Sequence, residues 1–191
     1  MSTARTAAPF SIIARSALRL SLAKAMLLLA GWSGAAQAQM AVPEYQLKAA
    51  VIFNFAVFAE WPAAALPPAG ALSLCAYNGN TLLSALQALA DKTINGHRLD
   101  VRTLASGSTP GSCHVLVLDR QDRERWPQLR RELGAAGVLT VADDKLIAAD
   151  GVMLALFMED KRIVFDANLA ALRAAGLTLS SKLLRLARSA Q

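Results

Sequence analysis

Metal-cluster chemistry has almost nothing to work with in this sequence: its 191 residues include two cysteines and two histidines. There is no C-x-x-C pair, so a dithiol redox site has no motif to rest on. Neither histidine stands in an H-E-x-x-H or G-x-S-x-G context. Walker-type and dinucleotide-binding glycine patterns are missing, and Gly107–Gly111 lacks the lysine and spacing of a phosphate-binding loop. Charge is sparse, at 18% of residues against 54% hydrophobic, which argues against disorder over most of the chain. Aspartate and glutamate are absent from residues 1–38, a stretch that holds Arg5, Arg15, Arg19 and Lys24. Setting it aside turns a formal charge of +6 into 16 basic against 14 acidic residues, so a nucleic-acid partner is not expected.

What is present at the N-terminus reads as a secretory leader. A basic region ends at Lys24, an apolar stretch runs from Ala25 to Trp32, and Ala36-Gln37-Ala38 forms an A-x-A cleavage signal. With the trailing Ser33–Ala36 the stretch is about a dozen residues, short of the ~20 needed to cross a bilayer. The sequence therefore predicts a signal peptide over 1–38, cleavage before Gln39, and an exported body of residues 39–191 in a bacterial periplasm. In an oxidising compartment an even pair of cysteines commonly closes a bridge, and Cys75 and Cys113 each lie in an apolar, strand-like run. Two buried free thiols are the alternative.

The exported body alternates strand and helix patterns. Residues 44–61 read as a helix with Leu47, Val51, Phe55 and Phe58 on one stripe, widened nearly to the full circumference by Ile52, Phe53, Ala56 and Ala59. Pro62 stops it at about Trp61. Such a helix is buried on both sides or offers one side to a partner. Leu72–Tyr77, Leu99–Leu104, Cys113–Leu118 and Val138–Val141 read as strands, separated by a helix at Leu82–Ala90 and one starting near Trp126. Val152–Met158 and Arg162–Asp166 form a hairpin. Asp166 or Asn168 caps a helix ending near Gly176, and Ser180 or Ser181 caps a last helix, Lys182–Ala190. The fold class predicted is α/β: a single domain with a largely parallel central sheet, helices on both faces, and a C-terminal β-hairpin plus two helices.

Catalytic candidates are thin. His97 sits at an Asn95-Gly96 turn and reads as solvent-exposed, while His114 reads as a packed or hydrogen-bonded strand residue. Asp143-Asp144 reads as a solvated turn, and Glu159-Asp160 as a hairpin tip whose side chains diverge. No enzymatic activity is expected, and no cofactor or metal is implied. A binding module is the remaining class.

The run Glu44-Tyr-Gln-Leu-Lys-Ala-Ala-Val-Ile-Phe-Asn-Phe-Ala-Val-Phe-Ala-Glu-Trp-Pro62, with its Lys-Ala pair, aromatic/Asn/Phe cluster and Trp-Pro end, resembles the opening signature of the YfiR family of periplasmic proteins. The segments 94–102, 113–116, 138–143, 162–169 and 176–187 also stand where that family has similar ones. The resemblance implies helices packed on a central sheet and a regulator that binds the periplasmic sensor region of a membrane diguanylate cyclase, lowering cyclic di-GMP output. It implies a second partner in some systems, an outer-membrane lipoprotein that sequesters the regulator. Cys75 and Cys113 match a family disulfide pair; the second pair of some members has no counterpart here, so redox control through it is unsupported. Phe53, Phe58 and Trp61 are the candidate partner-binding residues, able to anchor either the core or an interface. A homodimer is a further option, and a periplasmic small-molecule-binding domain is the rival reading.

Overall fold

A computed structural model describes residues 42–67 and 70–191. The expected leader and its cleavage point before Gln39 lie outside the described residues.

The first helix, α1, spans Glu44–Phe58 and begins behind Pro43, whose carbonyl accepts from the N–H groups of Gln46 and Leu47. It ends before Trp61 because the backbone turns extended at Ala59. Ala59–Glu60 (β1) then pairs antiparallel with Thr178–Leu179 (β9). The buried stripe also differs from the expected one. It comprises Lys48, Ala49, Ile52, Phe55 and Ala56, while Leu47 is exposed and Val51 and Phe58 are half-buried. A helix apolar nearly all round carries no periodic signal that could pick the inward face.

Five parallel strands form the centre of the sheet: β2 (Leu72–Tyr77), β4 (His97–Leu104), β5 (Val115–Leu118), β6 (Leu139–Ala142) and β7 (Leu154–Glu159). Their spatial order is β4-β2-β5-β6-β7, the doubly wound arrangement in which the second parallel strand lies outside the first. β3 (Thr93–Ile94) extends one edge through a two-residue turn at Asn95-Gly96, where both residues have positive φ, 50° and 87°. β8 (Arg162–Ala167) returns antiparallel to β7 on the other side, and β10 (Ser189–Ala190) lies parallel to β8 at the far edge.

The pleat sorts side chains into two cores. Leu72, Leu74, Ala76, Val115, Val117, Leu139, Val141, Leu154 and Leu156 face α1, α2 (Leu83–Gln87), α5 (Leu169–Ala174) and α6 (Ser181–Leu184). Phe55 meets Phe165 edge-on there, with ring centroids 4.8 Å apart. On the opposite face Cys75, Tyr77, Leu116, Leu118 and Ala142 pack against α3 (Trp126–Leu133) and α4 (Lys145–Ala149). The molecule is therefore an α/β domain with helices on both faces of a mostly parallel sheet.

Local chemistry explains most element ends. Pro127 sits in the first turn of α3, where its missing N–H is harmless, and Gly134 closes it. Asn168 caps α5 by accepting from the Ala171 N–H at 2.9 Å. Ser180 caps α6, but that helix stops at Leu184 rather than continuing to Ala190. The N–H groups of Arg188 and Gln191 bond instead to the carbonyls of Phe165 and Ala167, satisfying the edge of β8, and Leu186 is left 73% exposed.

Candidate functional site

In doubly wound sheets ligands bind outside the carboxyl ends of the strands, where the strand order reverses. Here that point lies between β2 and β5, and the chain fills it with its own groups. Asn80 accepts from the Leu82 N–H and donates to the Val117 carbonyl. The buried Asp119 accepts from the N–H groups of Thr81 and Gln121, each at 2.8 Å. Asp122, also buried, accepts from the Asp119 N–H at 2.9 Å, a reciprocal cap on the short 3₁₀ turn Arg120–Asp122. Burial pushes the Asp122 carboxyl up, with that N–H pulling the other way.

The next strand ends in Asp143-Asp144, expected as a solvated turn but committed to internal partners. Lys48 of α1 reaches Asp143 at 2.7 Å and Glu44 at 2.6 Å. Burial works against the Lys48 charge, but the two carboxylates outweigh it and raise its pKa. Burial likewise pushes Asp143 up, opposed by Lys48. Asp144 accepts from the N–H groups of Leu146 and Ile147 and from the Arg123 guanidinium at 3.0 Å, and so starts α4, a helix the sequence pattern does not announce. Arg123 first, then the backbone N–H groups, hold its carboxyl below the ordinary value of 3.8. A group depressed in this way contributes its stability above that value and loses it as pH falls. Asp144→Ala is therefore expected to cost about 1–2 kcal/mol at pH 7 through the lost cap and ion pair. The difference from wild type should shrink at pH 3, which urea midpoints at the two pH values would read.

The amino ends of the strands hold both histidines. His97 opens β4 half-buried, not exposed in a loop, with Nδ1 2.8 Å from the Gly70 carbonyl oxygen. His114 accepts from the Ser73 N–H at Nδ1, 2.9 Å, and donates from Nε2 to the Ala65 carbonyl, 3.0 Å. Burial lowers its pKa, followed by smaller effects of Arg102 and His97, against the Ala65 contact. With both ring nitrogens engaged, His114 has no lone pair free to activate a nucleophile. The Trp61 ring stands nearly perpendicular to it, ring centroids 6.2 Å apart, and its buried indole N–H finds no partner among the described residues. An open cleft of about 210 Å³ lies alongside, between Trp61, Leu66, Leu72, Ile94 and His97.

A larger open cleft, about 550 Å³, runs between α4 and the β7–β8 hairpin past Ala155, Phe157 and Asp166. Its polar rim is tied down: Arg188 pairs with Asp166 and Glu159 and lies 4.3 Å over the Phe157 ring.

Phe53, Phe58 and Trp61 are all half-buried and pack against the larger core. They do not form one stripe. Phe53 and Phe58 are five residues apart, about 140° around the helix, and Lys92 Nζ sits 5.7 Å from the Phe53 ring. The exposed large apolar side chains among the described residues are others: Val42 ahead of α1, Tyr45 (47%) and Leu47 (40%) on it, Leu146, Met158 and Leu186. No local signal picks out Leu47, because Lys48 beside it faces inward only through Asp143, 95 residues away. Cys75 and Cys113 are joined, across 38 residues, inside the second core.

The family model for YfiR/HmsC-like proteins matches residues 45–188. No curated protein matches the sequence significantly. Among solved structures, a conserved domain protein from Vibrio cholerae is similar at 12% identity with a TM-score of 0.56; the match covers 78% of this chain and 61% of that one. At that identity the likeness is one of fold.

Proposed function

Because the chain belongs to the YfiR/HmsC-like family, we propose that it is a periplasmic regulator of diguanylate cyclase signalling that acts by binding protein rather than by catalysis. The family match, spanning nearly all the described residues, carries this reading. The arrangement of polar groups supports it: the crevice where a ligand would sit in such a sheet is closed by Asn80, Asp119, Asp122 and the Lys48 pair. In this reading the leader takes the protein across the inner membrane and is cleaved before Gln39. The partner is the periplasmic sensor region of a membrane cyclase, with an outer-membrane lipoprotein as a competing partner.

The mechanism is linkage. A regulator that binds the inactive state of the cyclase 100-fold better than the active one shifts that equilibrium by about 2.7 kcal/mol. The contact surface we assign is centred on the exposed Tyr45 and Leu47 in the first turns of α1, with the half-buried Phe53, Phe58 and, beyond the helix end, Trp61 as separate edge contacts rather than one stripe. Leu47→Glu is expected to weaken capture of a cyclase sensor region at least tenfold, about 1.4 kcal/mol, without moving the urea midpoint. Pull-downs with the periplasmic segments of inner-membrane cyclases test this. Binding to none of them, together with unchanged cyclic di-GMP on deletion, would sink the proposal.

A further inference from the structure

We propose that His114 is a proton-sensitive latch that holds the turn Pro62–Leu66, and with it Trp61, against the amino ends of β2 and β5. This inference does not depend on the partner. The turn is closed internally by the N–H groups of Ala65 and Leu66 on the Pro62 carbonyl. Its hydrogen-bonded tie to the sheet runs through the imidazole, beside the apolar packing of Trp61 and Leu66 on the core. The closed arrangement requires one tautomer, with Nδ1 bare to accept from Ser73 and Nε2 protonated to donate to Ala65. An imidazolium carries N–H at both positions and would face the Ser73 N–H with another donor. Ser73 is 3% exposed, so water does not replace the lost acceptor in the closed form.

The surroundings reinforce the choice. The charged and titratable groups facing the ring are Arg102 and His97, both from β4, and both disfavour a positive charge on it. No carboxylate among the described residues acts on the ring directly, although Asp100 pairs with Arg102 at 2.6 Å and softens its effect. The adjacent Cys75–Cys113 bridge does not titrate. The Trp61 and imidazole rings stand nearly perpendicular, at an interplanar angle of 82°. His97 behaves differently. Its bond to the Gly70 carbonyl uses an N–H that protonation preserves, so the acid-labile contact is the one at His114.

The sign follows from the two states. His114 is neutral when the latch is closed and has an ordinary histidine pKa near 6.5 when it is open. The closed state therefore has its full advantage above that pH and loses it as pH falls. The ratio of open to closed rises by up to about 30-fold between pH 8 and pH 5. Opening takes Trp61 off the imidazole and uncovers the cleft beside Leu66 and Leu72.

Amide and indole spectra of the ¹⁵N-labelled protein from pH 8 to pH 5 test the latch. The Ser73 amide and Trp61 indole signals should shift with one midpoint. The Trp126 indole, which donates to the Asp150 carbonyl, should stay put as a reporter of the global fold. The response should vanish in His114→Gln and persist in His97→Gln. Constant Ser73 and Trp61 signals, a response surviving in His114→Gln, or Trp126 moving with the same midpoint would each overturn the proposal. So would imidazole ¹⁵N shifts of the wild type at pH 8 showing Nδ1 protonated, a reading that needs no variant to fold.

Discussion

Reduction of the Cys75–Cys113 bridge is expected to lower the unfolding free energy by about 4 kcal/mol, the chain-entropy value for a closed loop of this size. The two cysteines are 38 residues apart and both are buried. Cys75 lies in the central strand β2, and Cys113 stands just before its neighbour β5, so the bridge ties together two strands that also share a ladder. The loop it closes contains α2, the β3–β4 hairpin and the Gly/Ser-rich stretch 106–112. That segment gains most freedom when the unfolded chain is released. The freed thiols sit among apolar neighbours and tolerate burial well, so the loss arises chiefly in the unfolded state. Urea unfolding with and without reductant should show a lower midpoint and a steeper dependence on denaturant. An unchanged midpoint would contradict the account.

Lys48→Met is expected to cost about 3 kcal/mol, because it leaves Asp143 in a largely enclosed site without its cation. The side chains of Lys48 and Asp143 are only 11% and 16% exposed. Burial already raises the Asp143 carboxyl, and loss of Lys48 removes the group that opposes this. A carboxyl whose folded pKa lies above its unfolded value takes up a proton more readily when folded. The defect in Lys48→Met should therefore shrink as pH falls toward that folded value. Adding Asp143→Leu removes the stranded charge and should recover most of the stability. Thermal or urea midpoints of the two variants decide the matter; equal losses in both would show that Lys48 contributes by packing and not by charge.

The parallel core was legible because β2, β5 and β6 are continuous apolar runs bounded by turn residues, the mark of strands covered on both faces. Asn95-Gly96, Pro127, Asn168 and Ser180 announced their boundaries through chemistry local to the chain. What escaped were features decided at long range. β1 exists only because β9 comes to meet it, and β10 only because β8 has an open edge. The inward face of α1 is chosen by Lys48 finding Asp143, 95 residues away, and no window of hydropathy contains that pair. The half-burial of His97 has a similar origin: a turn places it, but its partner, the Gly70 carbonyl, is on another segment. Phe53, Phe58 and Trp61 stood out by residue type, whereas exposure at Leu47 and Leu186 depends on what covers them.

The pairing of β1 with β9 has a kinetic consequence. Glu60 accepts from the Thr178 hydroxyl 118 residues further on, the Ser180 N–H bonds to the Phe58 carbonyl, and Phe55 rests on Phe165. The first of the described helices thus has its seat built from elements synthesised more than 100 residues later. Closing so large a loop before any reward arrives slows folding toward the millisecond-to-second range. A nascent chain halted before residue 160 would hold α1 with its greasy side unattended, a natural client for chaperones and an easy target for proteases.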